Sequence, residues 1–277
     1  MKNILKYIAV IFVLASCSNL EKTIELDLEQ AEKVVVIDGL ITDELRQQRI
    51  VVGQNVDFYT TGATPKLSGA FVTVSDDEGN TYTFEEDSEN QGVYLSEFQG
   101  IIGRTYSLKV EVNGGVYEAT ETLNRVAPID SLGWEVDWDE VENEADLDSA
   151  DVYDVLIYTK EPQDTKDYYL FKFYENGVIK NDEGRDIFYA DDEYIGENID
   201  GLTGGYYHKK GDSVTVEFYS MARSGFLFYQ DMELNLNNDG GLFGPIPANL
   251  RNNISNGALG LFQVSAVSRK SIIIGEE

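Results

Sequence analysis

Two residues with distinctive chemistry occur once each in the 277-residue chain, Cys17 and His208. A thiol can be alkylated or ligate a soft metal, and an imidazole can relay protons. One His and one Cys cannot supply the usual ligand set of a zinc site, so zinc is disfavoured. A Ser-His-Asp triad around His208 lacks support as well. There is no Gly-x-Ser-x-Gly elbow, and Ser224-Gly225 falls within a helical pattern. With Lys209 and Lys210 beside it, His208 reads as ordinary surface. No catalytic residue is assigned.

Carboxylates are abundant, with 50 Asp and Glu against 21 Lys and Arg. Calcium needs only oxygen ligands. Candidate clusters are Asp76-Asp77-Glu78, Asp191-Asp192-Glu193 and the acidic stretch from Asp137 to Asp154. None has EF-hand spacing, and a solvated loop is the better reading of each. A glycosidase also needs two carboxylates, but in so acidic a chain a suitably spaced pair carries little information. Tyrosines are more specific, since they can stack on sugars or anchor protein interfaces. Tyr189, Tyr194, Tyr206 and Tyr207 are the candidates for ligand or partner contact. Alternation sets Tyr169, Phe171 and Phe173 on one face of a strand and Tyr168, Leu170 and Tyr174 on the other, so at least one set belongs to a core.

The elements that would position these residues are mostly strands. Tyr106, Leu108, Val110 and Val112 alternate with Thr105, Ser107, Lys109 and Glu111, which gives one apolar and one wet face. Val34 to Ile37 is an unbroken apolar run, suited to a strand buried on both faces. Turn signals occur at Gly79-Asn80, Asn113-Gly114 and Asn176-Gly177. The pattern changes near Val126-Ala127-Pro128, where a strand from Ile129 to Trp138 begins. Ser220 is a plausible N-cap for one helix, about 221 to 237, with Phe226, Tyr229, Met232, Glu233 and Leu236 at helical spacing. Leu259 to Val267 and Ser271 to Ile274 supply closing strands. Residues 31–125 are therefore expected to form an immunoglobulin-like or transthyretin-like β-sandwich, and 126–277 a second β-rich domain with that helix.

The N-terminus is of another kind. Lys2 and Lys6 precede an apolar run, Tyr7 to Ala15, too short to span a bilayer. Residues 1–16 read as a signal peptide, and Leu14-Ala15-Ser16-Cys17 resembles the lipobox of bacterial lipoproteins, in which cleavage leaves an acylated cysteine first. Cys17 is then the lipidation site and 17–30 a tether, with several acyl chains giving stable anchoring. The formal net charge of −29 disfavours nucleic acid as a partner. The apolar fraction of 42% is that of a folded protein.

Several segments together resemble a family: Asp38-Gly39-Leu40-Ile41-Thr42-Asp43, Val74 to Tyr82, Gly103-Arg104-Thr105-Tyr106-Ser107-Leu108, Pro247-Ala248-Asn249-Leu250, Asn253 to Gly260, and Phe262. They look like the Bacteroidota lipoproteins grouped under domain of unknown function 4249. Asn253, Ser255, Asn256 and Gly257 also suit a purely structural turn. The resemblance implies an accessory role beside a TonB-dependent outer-membrane transporter. With the lipid anchor and the absent catalytic set, a non-enzymatic envelope lipoprotein without a cofactor is expected, and the anchor and charge place it in the outer membrane. The cell surface is favoured over the periplasmic face by the transporter association, although Glu21, Glu25, Asp27 and Glu29 do not form a continuous acidic export tract. The alternatives are a glycan-acting envelope hydrolase and an adhesin-like structural module.

Overall fold

The computed structural model describes residues 32–57, 60, 63–143, 152–181, 186–195, 197–238 and 249–276. Cys17, the signal segment and the tether lie outside the described residues, as do 144–151 of the acidic stretch and the Pro245-Pro247 loop. The chain is mainly β. Among the described residues no helix is long and apolar enough to cross a membrane.

The first seven strands are β1 (Val35–Thr42), β2 (Arg46–Gln54), β3 (Phe71–Asp76), β4 (Thr81–Glu86), β5 (Val93–Phe98), β6 (Thr105–Val112) and β7 (Gly115–Thr122). With β15 (Leu259–Ser265) they form an eight-stranded sheet in the order β15-β1-β2-β5-β4-β3-β6-β7. β4 turns the corner by pairing with both β3 and β5. The two ends of the sheet nearly meet, since Ser255 and Glu118 exchange bonds of 2.8 Å and 2.8 Å. The sheet thus wraps as a sandwich around one core that includes Ile37, Val72, Tyr106, Leu108 and Phe262. Every expected inward residue of β6 is buried, and Ser107 and Lys109 are exposed. Val34 and Val36 remain half-buried, so the opening run of β1 alternates instead of burying both faces.

Hairpin geometry follows the turn residues. In the two-residue loop between β6 and β7, Asn113 and Gly114 both have positive φ, 52° and 78°, the signature of a type I′ turn that matches strand twist. β10 (Tyr168–Glu175) and β11 (Val178–Lys180) repeat it with Asn176 and Gly177 at 51° and 81°.

The remaining strands are β8 (Ile129–Val136), β9 (Tyr153–Lys160), β12 (Phe188–Asp191), β13 (Asn198–Thr203), β14 (Ser213–Met221) and β16 (Val267–Ile273). One sheet runs β11-β10-β14-β16 with β12 also on β10, and a three-stranded sheet runs β13-β9-β8. Ile129, Val155 and Ile157 on the second meet Tyr169, Phe171, Phe173, Val216 and Phe218 on the first in one core. The opposite face of β10 is covered too, where Leu170 and Tyr168 join Tyr219, Met221, Phe226 and Tyr229.

Among the described residues the helices are α1 (Trp138–Asn143), α2 (Asp192–Ile195) and α3 (Arg223–Leu236). The strand expected to run to Trp138 ends at Val136, because Asp137 Oδ1 accepts the Glu140 N–H at 3.0 Å and starts α1. The acidic stretch therefore begins as a helical turn. α3 has Ala222 as its N-cap, with no side-chain cap bond. Ser220, expected in that role, instead lies within β14, where its hydroxyl donates to the Asn124 carbonyl (2.7 Å) and accepts from Ala266 N–H (2.8 Å).

β15 crosses the line expected at residue 126. It pairs in parallel with β1, from Val36 opposite Leu259 to Thr42 opposite Ser265. Gly260 makes this possible: a Cβ there would sit 1.9 Å from the Ile37 carbonyl oxygen. After Ala266 the chain continues as β16 in the other sheet. Lys33–Val56 and Thr60–Glu277 accordingly form one compact unit.

Candidate binding cleft

Below α3, strand β12 and the end of β13 border a cleft of about 610 Å³. Its walls come from both faces of the sheet at the β12 edge, since the consecutive residues Phe188 to Asp191 all line it. Phe171 and Phe173 face it from β10, Phe188 and Tyr189 from β12, and Phe226 from α3. Tyr189 meets Phe226 edge to face at 5.2 Å, and Phe173 meets Phe188 in the same way at 5.3 Å. Such T-shaped contacts between polarised rings fix the walls. Gly204 completes the border, since a Cβ there would lie 2.6 Å from the Phe173 ring. Only glycine lets this backbone rest on the aromatic face.

Polar chemistry enters at the lip. The Tyr189 hydroxyl donates to Glu233 on α3 in a short hydrogen bond. Burial, followed by the Glu233 bond and charge, pushes the phenol's pKa well up, so it stays a neutral donor. Asp191 lines the cleft as well, with the Lys166 ammonium 3.9 Å away. Aromatic faces next to a fixed hydroxyl and carboxylates suit a ligand with a flat apolar side and hydroxyl groups, or an inserted aromatic side chain.

The four tyrosines grouped in the sequence separate in space. Tyr189 lines the cleft. Tyr206 stands behind it, packed on Phe173 and Phe188 at 5.8 Å and 5.4 Å, with its hydroxyl donated to the Lys180 carbonyl and Asp186. Tyr207 is exposed and donates to Asp137 Oδ2 at 2.9 Å, and that bond, with burial, raises its pKa to about 12. Tyr194 belongs to α2, and its side chain lies outside the described residues. The sequence reading missed Phe188, Phe226 and Glu233 as cleft residues. Phe226 and Glu233 were legible only as one stripe of a helix.

His208 corrects an expectation. It is 2% exposed, with Nδ1 2.7 Å from Glu175 Oε2 and its backbone bridged to Tyr153. Lys209 and Lys210 are exposed, but the backbone bridge turns the imidazole inward between them and Tyr207. The acidic clusters also have internal partners. Asp76 is buried and accepts from Asn80, Glu78 N–H and Arg104 (2.7 Å), and Arg104 also grips Glu78 at 2.6 Å. Lys166 reaches Glu193 at 2.7 Å. Among the described residues no three His, Cys, Asp or Glu side chains gather to hold a metal ion.

The C-terminal turn motif is a brace. Asn253 binds Phe262 through both amide groups, donating to its carbonyl (2.7 Å) and accepting its N–H (3.0 Å), while Asn256 takes φ 56°. A family model described as "Domain of unknown function (DUF4249)" matches residues 21–271, a span that includes this brace, the cleft and nearly all of the three sheets. The chain belongs to the DUF4249 family. No curated protein matches the sequence. In this DUF4249 chain Asn253, Asn256 and Gly257 serve the brace through hydrogen bonds to the chain and positive φ angles, and the cleft walls come from residues outside it.

Proposed function

We propose that this chain is a non-enzymatic envelope lipoprotein, anchored through Cys17 in the outer membrane, that binds a ligand or partner for a TonB-dependent transporter. The observation that carries the binding reading is the aromatic cleft, whose ring contacts hold Tyr189, Phe226 and Phe173 in place before anything binds. Preformed aromatic walls reduce the ordering entropy lost on association. The anchor and the transporter partner rest on Leu14 to Cys17 and on the family resemblance. Affinity purification from native membranes in gentle detergent tests the reading. A TonB-dependent transporter should co-purify, and a Tyr189→Ala/Phe226→Ala variant should lose it while still reaching the membrane. Recovery of the lipoprotein alone overturns the partner. A Cys17→Ala variant retained in the membrane overturns the anchor. Protease digestion of intact cells reports the face, with cleavage before lysis expected.

One observation favours a second reading, a glycan-acting hydrolase: two carboxylates, Asp191 and Glu233, line the same aromatic cleft. Turnover of polysaccharide that vanishes in Glu233→Gln would replace the binding reading.

A further inference from the structure

A second cleft lies on the other face of β10, between that strand and β1–β2. Alternation turns Phe171 and Phe173 towards the aromatic core, and Lys172 and Tyr174 the other way. Lys172 enters a cavity of about 240 Å³ bordered by Arg46 and Arg49 on β2, Asp38 on β1, and Glu217 and Tyr219 on β14. Three of the chain's 21 basic residues thus converge on one small space in a protein with 50 acidic ones.

The cations there have only loose internal counter-ions. Lys172 Nζ sits 4.5 Å over the Tyr219 ring, and it has no hydrogen-bond or ion-pair partner among the described residues. Glu217, a buried carboxylate of the lining, is already engaged: it accepts from Tyr219 (2.6 Å) and Arg269 Nε (2.5 Å), and Arg269 also holds Glu44 at 2.7 Å. Arg46 and Arg49 are about half exposed and reach carboxylates only at 3.8 Å and 4.0 Å. Burial pushes the Lys172 ammonium's pKa down and outweighs the charges of Glu217 and Asp38, which pull it up. A largely desolvated cation with no carboxylate in direct contact is unfavourable, and a leucine or methionine would fill the same place against Tyr219.

We infer that this cleft is a binding site for a small carboxylate anion, held by Lys172 and by the guanidinium of Arg46 or Arg49. Guanidinium groups match the planar carboxylate in pairs of parallel hydrogen bonds. The volume is below the roughly 300–1,000 Å³ of sites for drug-sized ligands, so the occupant is a small organic acid or the terminal carboxylate of a longer chain. Asp38 and Glu217 share the lining and repel a dianion more than a monoanion, which selects carboxylate over phosphate.

Titration of the full chain with acetate, inorganic phosphate and chloride, followed by backbone amide NMR shifts, tests this site. Acetate should give saturable shifts around Arg46 to Arg49, Lys172 and Glu217, and bind more tightly than phosphate at equal ionic strength. Lys172→Met should weaken acetate about tenfold, the order of one charge-assisted hydrogen bond. In the absence of acetate the same variant should melt no lower than the parent. Arg46→Gln, at an exposed position, should weaken acetate by a smaller factor. Shifts that do not saturate or that chloride reproduces, tighter binding of phosphate, or unchanged acetate binding in either variant would each overturn the proposal. So would a lower melting temperature for Lys172→Met, which would mark the lysine as structural.

Discussion

Gln48 and Asp76, in the eight-stranded sheet, are buried with their hydrogen bonds filled. Glu161, Asp192 and Arg125, around β9, β10 and β12, each keep a buried side-chain atom without a partner among the described residues. Gln48 alone donates to the Thr42, Glu44 and Phe98 carbonyls and accepts from Thr42 N–H. Because an unmade buried hydrogen bond costs about 1–3 kcal/mol, the first region reads as framework and the second as the part that tolerates polar frustration. Both clefts border β10, which belongs to that second region.

The largest expected effect asks whether the two regions are thermodynamically separate. Phe262 is fully buried in the first core although it lies on β15, near the C-terminus. Phe262→Ala should lower unfolding stability by about 3–5 kcal/mol. Urea denaturation followed by tryptophan fluorescence checks it, since Trp134 reports from β8 in the second region and Trp138 from the adjoining α1. One transition that shifts as a whole is expected, because β15 and β16 run through both regions. A fluorescence transition that stays in place would show that the second region unfolds independently.

A smaller effect belongs to the aromatic cleft. Gly204→Ala forces a methyl group against Phe173 and should cost about 1–3 kcal/mol by overpacking. It should also impair whatever the cleft binds, whereas Gly79→Ala, in an open turn of the first region, should leave binding unchanged.

The smallest effects separate the regions by the sign of their pH dependence. Burial pushes the Asp76 carboxyl up, but the bonds from Asn80, Arg104 and Glu78 N–H outweigh it, and its pKa falls below the ordinary 3.8. Its contribution is therefore present above that value and lost as pH falls through the folded pKa. Glu161 is the opposite case. Burial first, then the charges of Asp167 and Asp192, outweigh the Tyr169 bond and raise it above 4.5. The folded state then binds the extra proton, so stability rises as pH drops from neutral through the raised pKa and levels off below 4.5. Urea midpoints measured from neutral pH into acid should show Glu161→Gln removing the gain and Asp76→Asn removing the acid loss.

The same contrast governs what could be read from the sequence. Hairpins of the first region are local, so alternation in Thr105 to Val112 and the Asn113-Gly114 turn gave strand, face and loop together. β12 escaped because it has only four residues. β13 carries a bulge between Asp200 and Leu202, and Gly201 breaks its pattern. The pairing of β1 with β15 joins opposite ends of the chain and leaves no local mark except Gly260. At the cleft, the abundance of tyrosine pointed to Tyr189, but its partner Glu233 comes from a helix distant in sequence. The burial of His208 was hidden for a related reason: its two lysine neighbours signal solvent, and the strand bridge that turns it inward is long-range.

The strand that changes sheets at Ala266 also sets an order of events. A polypeptide is made from its N-terminus, so β1 exists long before the residues that cover its outer edge. Until Leu259–Ser265 are available, the unpaired N–H and C=O groups along Val36 to Thr42 form an open template for other chains. Such distant pairing also slows folding, because a long loop must close before its contacts contribute. The nascent first sheet is therefore held incomplete until the chain has been synthesised through Ser265. Truncation anywhere ahead of Leu259 leaves a sticky edge in place of a smaller working domain.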